Sequence, residues 1–368
     1  MMKKIHVLQI VPTLGYGGVA KFLLHYYDHI DKNQICFDFI THGQKENYHN
    51  QLINEGSRIF YLKPSHELGT LNYLKQIKEI VTRNHFDIVH IHTGHHTGFL
   101  ACYLKLHGIK HIICHAHTTK CMNPKHKKLM PLFRWMARHF SNQLFACGHD
   151  AGMYCFGTEN FTIIPNGVDL SVFKRATAQE VQSLKTKLGI PHDYRVIGCV
   201  AAFVTPKNHH YLIKVFAEYH RANPNSKLLL VGDGPLRNEI EKLVEFYSIG
   251  KDVIFAGNQD DIPLYLSAFD VFALTSIHEG LPVVSAEAQA LGLPCLFSDN
   301  IDHSCDLGLG LIKFIPTSDN DVNVWSKFFS AFNPVVTESH IRKRFVKTGY
   351  EISRGALFLS SQYISILK

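Results

Sequence analysis

The sequence predicts an α/β fold built from two doubly wound domains, each a parallel sheet covered by helices on both faces. Three observations lead there. Short apolar runs alternate with amphipathic segments along almost the whole chain, the pattern of repeated βαβ units. The runs fall into two sets, separated by the turn-forming sequence Pro165-Asn-Gly-Val-Asp169. At 368 residues, the chain also exceeds one typical hydrophobic core.

In chain order, the first set of expected strands is 5–10, 35–41, 88–92, 111–115, 143–146 and 161–164. The second is 196–202, 227–231, 253–256, 271–274, 294–297 and 311–314. Each is short and mostly apolar, as strands buried in a parallel sheet are. Amphipathic stretches at 18–30, 71–84, 209–223 and 235–247 read as crossover helices, and 171–194 as a helical connector. The expected domains are 1–170 and 171–351, with a last helix at about 352–368 returning to the first. The start Met1-Met-Lys-Lys-Ile-His-Val-Leu8 is basic and then apolar, like a signal peptide. Its strand-length apolar part and the interruption by Pro12 and Gly15 favour a first strand.

Composition narrows the class. With 46% hydrophobic and 19% charged residues the chain reads as globular rather than disordered. No apolar run reaches the roughly 20 residues of a membrane span. A net charge of +7 suits anionic partners such as nucleotide phosphates or an anionic membrane without requiring nucleic acid. The nine cysteines form no CxxC pair or regular framework, which points to reduced thiols and a cytoplasmic setting. The 25 histidines, several in pairs (His90/His92, His95/His96, His115/His117), raise the question of a metal. Neither HExxH nor a carboxylate pattern accompanies them, so no metal is expected.

The segment Ser276–Pro294 carries the most chemistry. It places Glu279 and Glu287 on either side of Gly280-Leu281-Pro282, after the strand at 271–274 and before a helix over 283–291. Glu279 then sits in a strand-to-helix loop, Pro282 in the first helical turn, and Glu287 just over a turn inside. A helix start offers unpaired N–H groups to a phosphate, and the two carboxylates can grip hydroxyls around it. A nucleotide sugar has that distribution of groups.

Other motifs sit where strands of such sheets end, the region where ligands bind. Gly15-Tyr-Gly-Gly18 allows close approach of an anion but equally makes a plain turn. His117, in His115-Ala-His117, either meets a sugar or is a histidine satisfied by backbone. Lys207 reads as a diphosphate partner or a solvated charge. Val231-Gly-Asp-Gly-Pro235 is a strand-to-helix turn, functional or structural, and Asp319-Asn-Asp321 reads as a helix cap rather than a metal-binding DxD. Between 120 and 140, Lys125, Lys127, Lys128, Arg134 and Arg138 interleave with Leu129, Leu132 and Trp135. That segment is either a helix on an anionic membrane or a core-facing helix with a basic outer side.

Taken in order, these motifs resemble the family 4 retaining glycosyltransferases of GT-B fold, of the bacterial capsule and exopolysaccharide type. The resemblance spans nearly the whole chain, ending with Gly349-Tyr-Glu-Ile352. It implies two Rossmann-like domains facing across a cleft and metal-independent, configuration-retaining transfer of a hexose. No cofactor is implied beyond a nucleotide diphosphate sugar donor, by default a UDP-sugar. The implied acceptor is a glycan or polyprenyl-linked intermediate at the inner face of the plasma membrane. It assigns Glu279 to donor-sugar hydroxyls, Glu287 to the ribose, Gly280 and Leu281 to sugar or diphosphate, and Lys207 to the diphosphate. His117 is placed near the reacting carbon and Gly17-Gly18 near the phosphates. One departure stands out: Ala201-Ala202 replaces a Gly-Arg whose arginine helps hold the diphosphate in the family. A silent homologue acting as a partner subunit, and a GT-B epimerase or hydrolase of UDP-sugars, are the competing readings. A nicotinamide dehydrogenase is disfavoured, because no GxGxxG with a downstream acidic residue follows the first strand.

Overall fold

The computed structural model describes residues 4–15, 17–42, 48–119 and 124–368, without the side chains of 124 and 125. The chain divides into two compact units: Met1–Gly167 together with Gly349–Lys368 (unit 1), and Val168–Thr348 (unit 2).

Unit 1 holds a seven-stranded, wholly parallel sheet: β1 Ile5–Ile10, β2 Ile35–His42, β3 Ile59–Leu62, β4 Ile88–Ile91, β5 Ile112–Ala116, β6 Gln143–Ala146 and β7 Thr162–Ile163. Their order is β3-β2-β1-β4-β5-β6-β7. Unit 2 repeats the design with six strands: β8 Arg195–Val200, β9 Ser226–Val231, β10 Val253–Gly257, β11 Val271–Leu274, β12 Cys295–Ser298 and β13 Ile312–Ile315. The order there is β10-β9-β8-β11-β12-β13. In both sheets the chain winds outward one way, returns to the first strand, and winds out the other way. The reversals fall between β1 and β4 and between β8 and β11, where doubly wound sheets open a crevice at their carboxyl edge.

Twelve of these strands lie at or within two residues of their expected positions. The exception, β3, was not expected from the sequence. It is a four-residue edge strand, half-buried except at Leu62, so it lacks the continuous apolar signal of an inner strand. The connector at 171–194 is helical only over Ala178–Lys187, where Thr177 and Glu180 form a capping box.

The helix Ile352–Ile366 belongs to unit 1. Ile352, Ala356, Leu359 and Tyr363 are fully buried in the same core as Phe22, Tyr26 and Tyr27 of the helix Gly18–His29. Its four core positions follow the three-to-four-residue spacing of one helical face, and burying such a face is what stabilises a helix of this length. In unit 2, Trp325 and Phe329 are enclosed and meet Tyr211 and Tyr219 edge-to-face. The eight described cysteines are free thiols, and Cys121 lies outside the described residues. No described helix is long and apolar enough to cross a membrane.

The Val231–Pro235 turn has a structural role. Gly232 has a φ of +129°, and a Cβ there would meet the Ala201 carbonyl oxygen at 2.2 Å. One at Gly234 would meet the Phe203 oxygen at 2.7 Å. The turn is held against the loop after β8 by Ala201 N–H to Val231 O (3.0 Å) and Phe203 N–H to Asp233 O (3.0 Å). Asp319–Asp321 likewise forms a capping arrangement, with Asp321 accepting from the Ser318 N–H while Lys214 pairs with Asp319. Replacing Gly232 with alanine is expected to destabilise unit 2 by about 2 kcal/mol or more. Denaturant unfolding checks this, and an unchanged midpoint would remove the structural role.

Candidate functional site

In unit 2, two loops leave the strands that flank the β8/β11 reversal. The first runs from Ala201 through a 3-10 turn, Thr205–Lys207, to Asn208, which adopts a left-handed conformation (φ +53°) before the helix His209–Ala222. The second runs from Thr275 to Pro282 and leads into the helix Val283–Ala290. Backbone and side-chain bonds lock the loops together: Ile277 N–H to Pro206 O (2.8 Å) and Thr275 Oγ1–H to Asn208 O (2.9 Å). Lys207 Nζ donates to Glu279 Oε2, and Ser276 Oγ–H donates to Glu279 Oε1, so both carboxylate oxygens are engaged. The Glu279 backbone is fixed from the far side by a parallel bridge to Ile301 and by Asp302 N–H to Glu279 O (3.1 Å).

Thus Lys207 and Glu279, 72 positions apart in sequence, form one ion pair at the carboxyl edge of the sheet. It is partly exposed, with the lysine and glutamate side chains 23% and 11% accessible, so a ligand can reach it. The ammonium has three donors and spends one on the carboxylate. Gly280 and Leu281 are half-buried beside it, and no described side chain caps the helix that Pro282 begins. Pro282 is therefore the N-cap residue rather than part of the first turn. Glu287 differs from the other predicted site residues. It is fully buried, in a helical turn where Ser285 to Ala290 are all enclosed, so the structure does not bring it to the surface beside Glu279. Ala202 is exposed and contributes no charge where the family pattern has an arginine. Ser276, which orients Glu279, was missed from the sequence although it opens the same motif. His209 was missed as well: it is buried, and neither ring nitrogen has a hydrogen-bond partner among the described residues. A cavity of 560 Å³ lies beside Phe269, Asp270 and Pro294, at the opposite, amino end of this sheet. It shares no residue with the Lys207–Glu279 pair.

In unit 1, the carboxyl edge carries a ladder of four histidines. His90 and His115 are on β4 and β5, and His92 and His117 stand just beyond the ends of those strands. His117 Nε2 lies 2.9 Å from His92 Nδ1, and His92 Nε2 lies 2.9 Å from Gln9 Oε1 of β1. His115 Nδ1 lies 3.2 Å from His90 Nε2, and His90 Nδ1 lies 2.8 Å from the Tyr363 hydroxyl. Phe22 covers the ladder, 5.1 Å from His115 and 5.2 Å from His117 between ring centres. Both nitrogens of His90 and of His92 are therefore held by neighbouring side chains. Gln9 could have been suspected from sequence as a polar residue inside an apolar strand; Tyr363 gave no signal. Tyr16 lies outside the described residues. Gly17 precedes the helix Gly18–His29 in extended conformation, and a Cβ there would meet only Thr13, at 3.8 Å. Neither backbone strain nor packing within the described residues requires glycine at that position.

The helix Pro124–Phe140 buries Met130, Phe133 and Ala137 on one side. Lys127, Lys128, Leu129, Leu132 and Trp135 are exposed. The Lys125 side chain lies outside the described residues. Arg134 and Arg138 are occupied inside unit 1, donating to the carbonyls of Tyr154 and Phe156 at the end of the helix His149–Phe156. The outward basic character of the described helix thus comes from its first two turns.

Burial drives the pKa of His90, His92 and His115 well below the ordinary 6.5, and that of His117 down to about 3. These groups stay neutral in the folded state while their unfolded counterparts protonate below about pH 6.5. The folded state therefore loses stability as pH falls through that value, by about 1.4 kcal/mol per pH unit for each fully buried histidine. Thermal unfolding between pH 8 and 5 is expected to show a steep fall below pH 6.5, reduced when His115 is replaced by phenylalanine.

Comparison with known proteins places the chain among the glycosyltransferases. Residues 16–172 match the description Glycosyltransferase Family 4, and residues 180–307 match Glycosyl transferases group 1. EpsF of Bacillus subtilis (strain 168) is 34% identical over 331 residues, spanning 87% of this chain and 86% of its own. The UDP-Gal:alpha-D-GlcNAc-diphosphoundecaprenol alpha-1,3-galactosyltransferase of Escherichia coli is 27% identical, over 82% of this chain and 81% of its own. Among solved structures, a glycosyltransferase from Rickettsia africae ESF-5 superposes with a TM-score of 0.76 at 15% identity, covering 100% of this chain and 99% of that one. Anabaena Alr3699/HepE, in complex with UDP and glucose, superposes at 0.71 and 17% identity, over 99% and 97%. The chain belongs to the family 4 glycosyltransferases and has their GT-B fold, which its two doubly wound parallel sheets realise.

Proposed function

We propose that the protein is a metal-independent, configuration-retaining hexosyltransferase using a nucleotide diphosphate sugar, with a UDP-sugar as first choice. The observation that carries this reading is the Lys207–Glu279 pair, set by two loops at the strand reversal of unit 2 and still accessible. A cation beside a hydroxyl-binding carboxylate, next to an uncapped helix start, matches a diphosphate joined to a sugar. Lys207 neutralises the departing diphosphate, Glu279 holds donor-sugar hydroxyls, and the Gly280 and Leu281 backbone meets sugar or phosphate. Glu287 keeps the ribose assignment on resemblance alone, since the structure holds it fully buried. On unit 1, His117 is assigned to a sugar hydroxyl and Gly17-Gly18 to a phosphate.

In this scheme the bond from the anomeric carbon to the diphosphate breaks as the acceptor oxygen bonds to the same face. The acceptor proton passes to the leaving phosphate oxygen. The protein contributes position and charge rather than a nucleophile. With its pKa held near 3, His117 acts as a neutral hydrogen-bonding group and adds no titration step around pH 6.5. The name of the Escherichia coli relative supports a polyprenyl-linked acceptor, and with it action at the cytoplasmic face of a membrane. The exposed Lys127, Lys128, Leu132 and Trp135 support contact with anionic lipid.

Nucleoside diphosphate release from UDP-, GDP- and ADP-sugars, with and without bacterial lipid extract, tests the reaction. Glu279→Ala and Lys207→Ala are each expected to lower acceptor-dependent turnover by about 100-fold or more. Full activity in Glu279→Ala would overturn the site. Acceptor-independent turnover would favour an epimerase or hydrolase. Donor binding without turnover would favour a silent partner subunit, the reading that Ala202 supports. Replacing Lys127 and Lys128 with glutamine and Trp135 with alanine is expected to reduce co-sedimentation with phosphatidylglycerol vesicles but not with phosphatidylcholine vesicles. Unchanged sedimentation removes the membrane contact.

A further inference from the structure

The histidine ladder is part of a longer chain of hydrogen bonds, and one amide sets its direction. Six side chains follow one another: His117, His92, Gln9, Tyr363, His90 and His115. The successive separations are 2.9, 2.9, 3.3, 2.8 and 3.2 Å. Gln9, His92, His90, His115 and Tyr363 are all at most 1% exposed, so no bulk water competes for these bonds.

The Gln9 amide turns its oxygen to His92 and its nitrogen to Tyr363. An amide oxygen only accepts, so the proton between Gln9 and His92 is on His92 Nε2. In neutral His92 this leaves Nδ1 bare, and the proton shared with His117 must then be on His117 Nε2. In the other direction, the Gln9 amide N–H donates to the Tyr363 oxygen, whose own hydrogen goes to His90 Nδ1. His90 then carries its proton on Nε2 and gives it to His115 Nδ1, leaving His115 with a buried Nε2–H. That nitrogen has no hydrogen-bond partner among the described residues. Phe22 and Phe145 stand edge-to-face with the His115 ring, at 5.1 and 5.8 Å between ring centres. The free end of the chain is His117 Nδ1, on a half-buried side chain, with no partner among the described residues.

We propose that Gln9, His92 and Tyr363 are positioning residues that fix His117 as its Nε2–H tautomer, so that Nδ1 is presented as an acceptor for a substrate hydroxyl. This rests on the reading of His117 as a sugar-facing residue. The remote end of the control is Tyr363, on a helix 246 positions after His117, so the tautomer depends on that helix being docked in unit 1. Without the chain, either ring nitrogen of His117 can carry the proton, and a molecule with Nδ1–H faces a sugar hydroxyl with a donor. The low pKa of His117 agrees with a ring that stays neutral and works through its lone pair.

Long-range proton–nitrogen NMR of the full chain, with ¹⁵N-labelled histidine and His117 assigned by its loss in His117→Asn, reads the tautomer directly. The wild type is expected to show His117 protonated at Nε2. Gln9→Met and Tyr363→Phe, which keep the side-chain volume, are expected to show a mixture. Both variants should also lower kcat about tenfold, since the wrong tautomer withholds the accepting nitrogen from the hydroxyl in the transition state. His117 protonated at Nδ1 in the wild type would overturn the proposal. So would wild-type tautomer and kcat in both variants, once circular dichroism shows them folded. If His117→Asn retains full turnover, the sugar-facing role itself falls, whatever the tautomer proves to be. If that variant loses turnover while the other two do not, only the positioning chain falls.

Discussion

Every chemically notable feature of this molecule depends on one constraint: all strands of each sheet run the same way. A parallel strand must be followed by a crossover that returns to the starting end, and the crossover is right-handed. Loops that follow strands therefore collect at one edge, however far apart they are in sequence. Lys207 and Glu279 meet for this reason, and so do Gln9, His92 and His117. The reversal of winding then prevents the adjacent helices from closing that edge, which leaves the crevice open. The sheet direction sets the location of the chemistry, and the side chains set its kind.

The two units meet that constraint with different materials. Unit 2 puts a charged pair in a partly exposed position, where each partner makes up for some of the water the other has lost. Unit 1 puts three of its four neutral ladder rings into full burial, where a charge would be costly. The neutral ladder gives rigidity and a defined direction of hydrogen bonding. A carboxylate beneath the ladder would have made imidazolium accessible; Gln9, which is uncharged, does not.

Much of this was legible in the sequence, because apolar runs of strand length and their punctuation survive into the fold almost residue for residue. The Glu279 loop, the lysine after β8 and the strand-end histidines were likewise visible, since residue type and position relative to a strand suffice to nominate them. Three kinds of feature were not legible. The edge strand β3 has too little burial to leave an apolar signature. The enclosure of Glu287 depends on what packs over its helix, which helical spacing does not reveal. The partners of the histidines, Gln9 and Tyr363, come from opposite ends of the chain, and only the folded core brings them together. The glycines of the Val231–Pro235 turn show a further limit: a motif with the look of a ligand loop is accounted for by its contact with a neighbouring loop.

The docking of Ile352–Ile366 into unit 1 has a consequence for the order in which the protein is made. The ribosome completes residues up to Gly167 long before it reaches Tyr363, so unit 1 is begun first and finished last. Until that helix arrives, Tyr26, Tyr27 and the histidine ladder lack part of their covering, while unit 2 already has all its own strands. Likewise, exchanging unit 2 between relatives takes two cuts, near Gly167 and near Gly349, because a single crossover would join the body of one unit 1 to the closing helix of another.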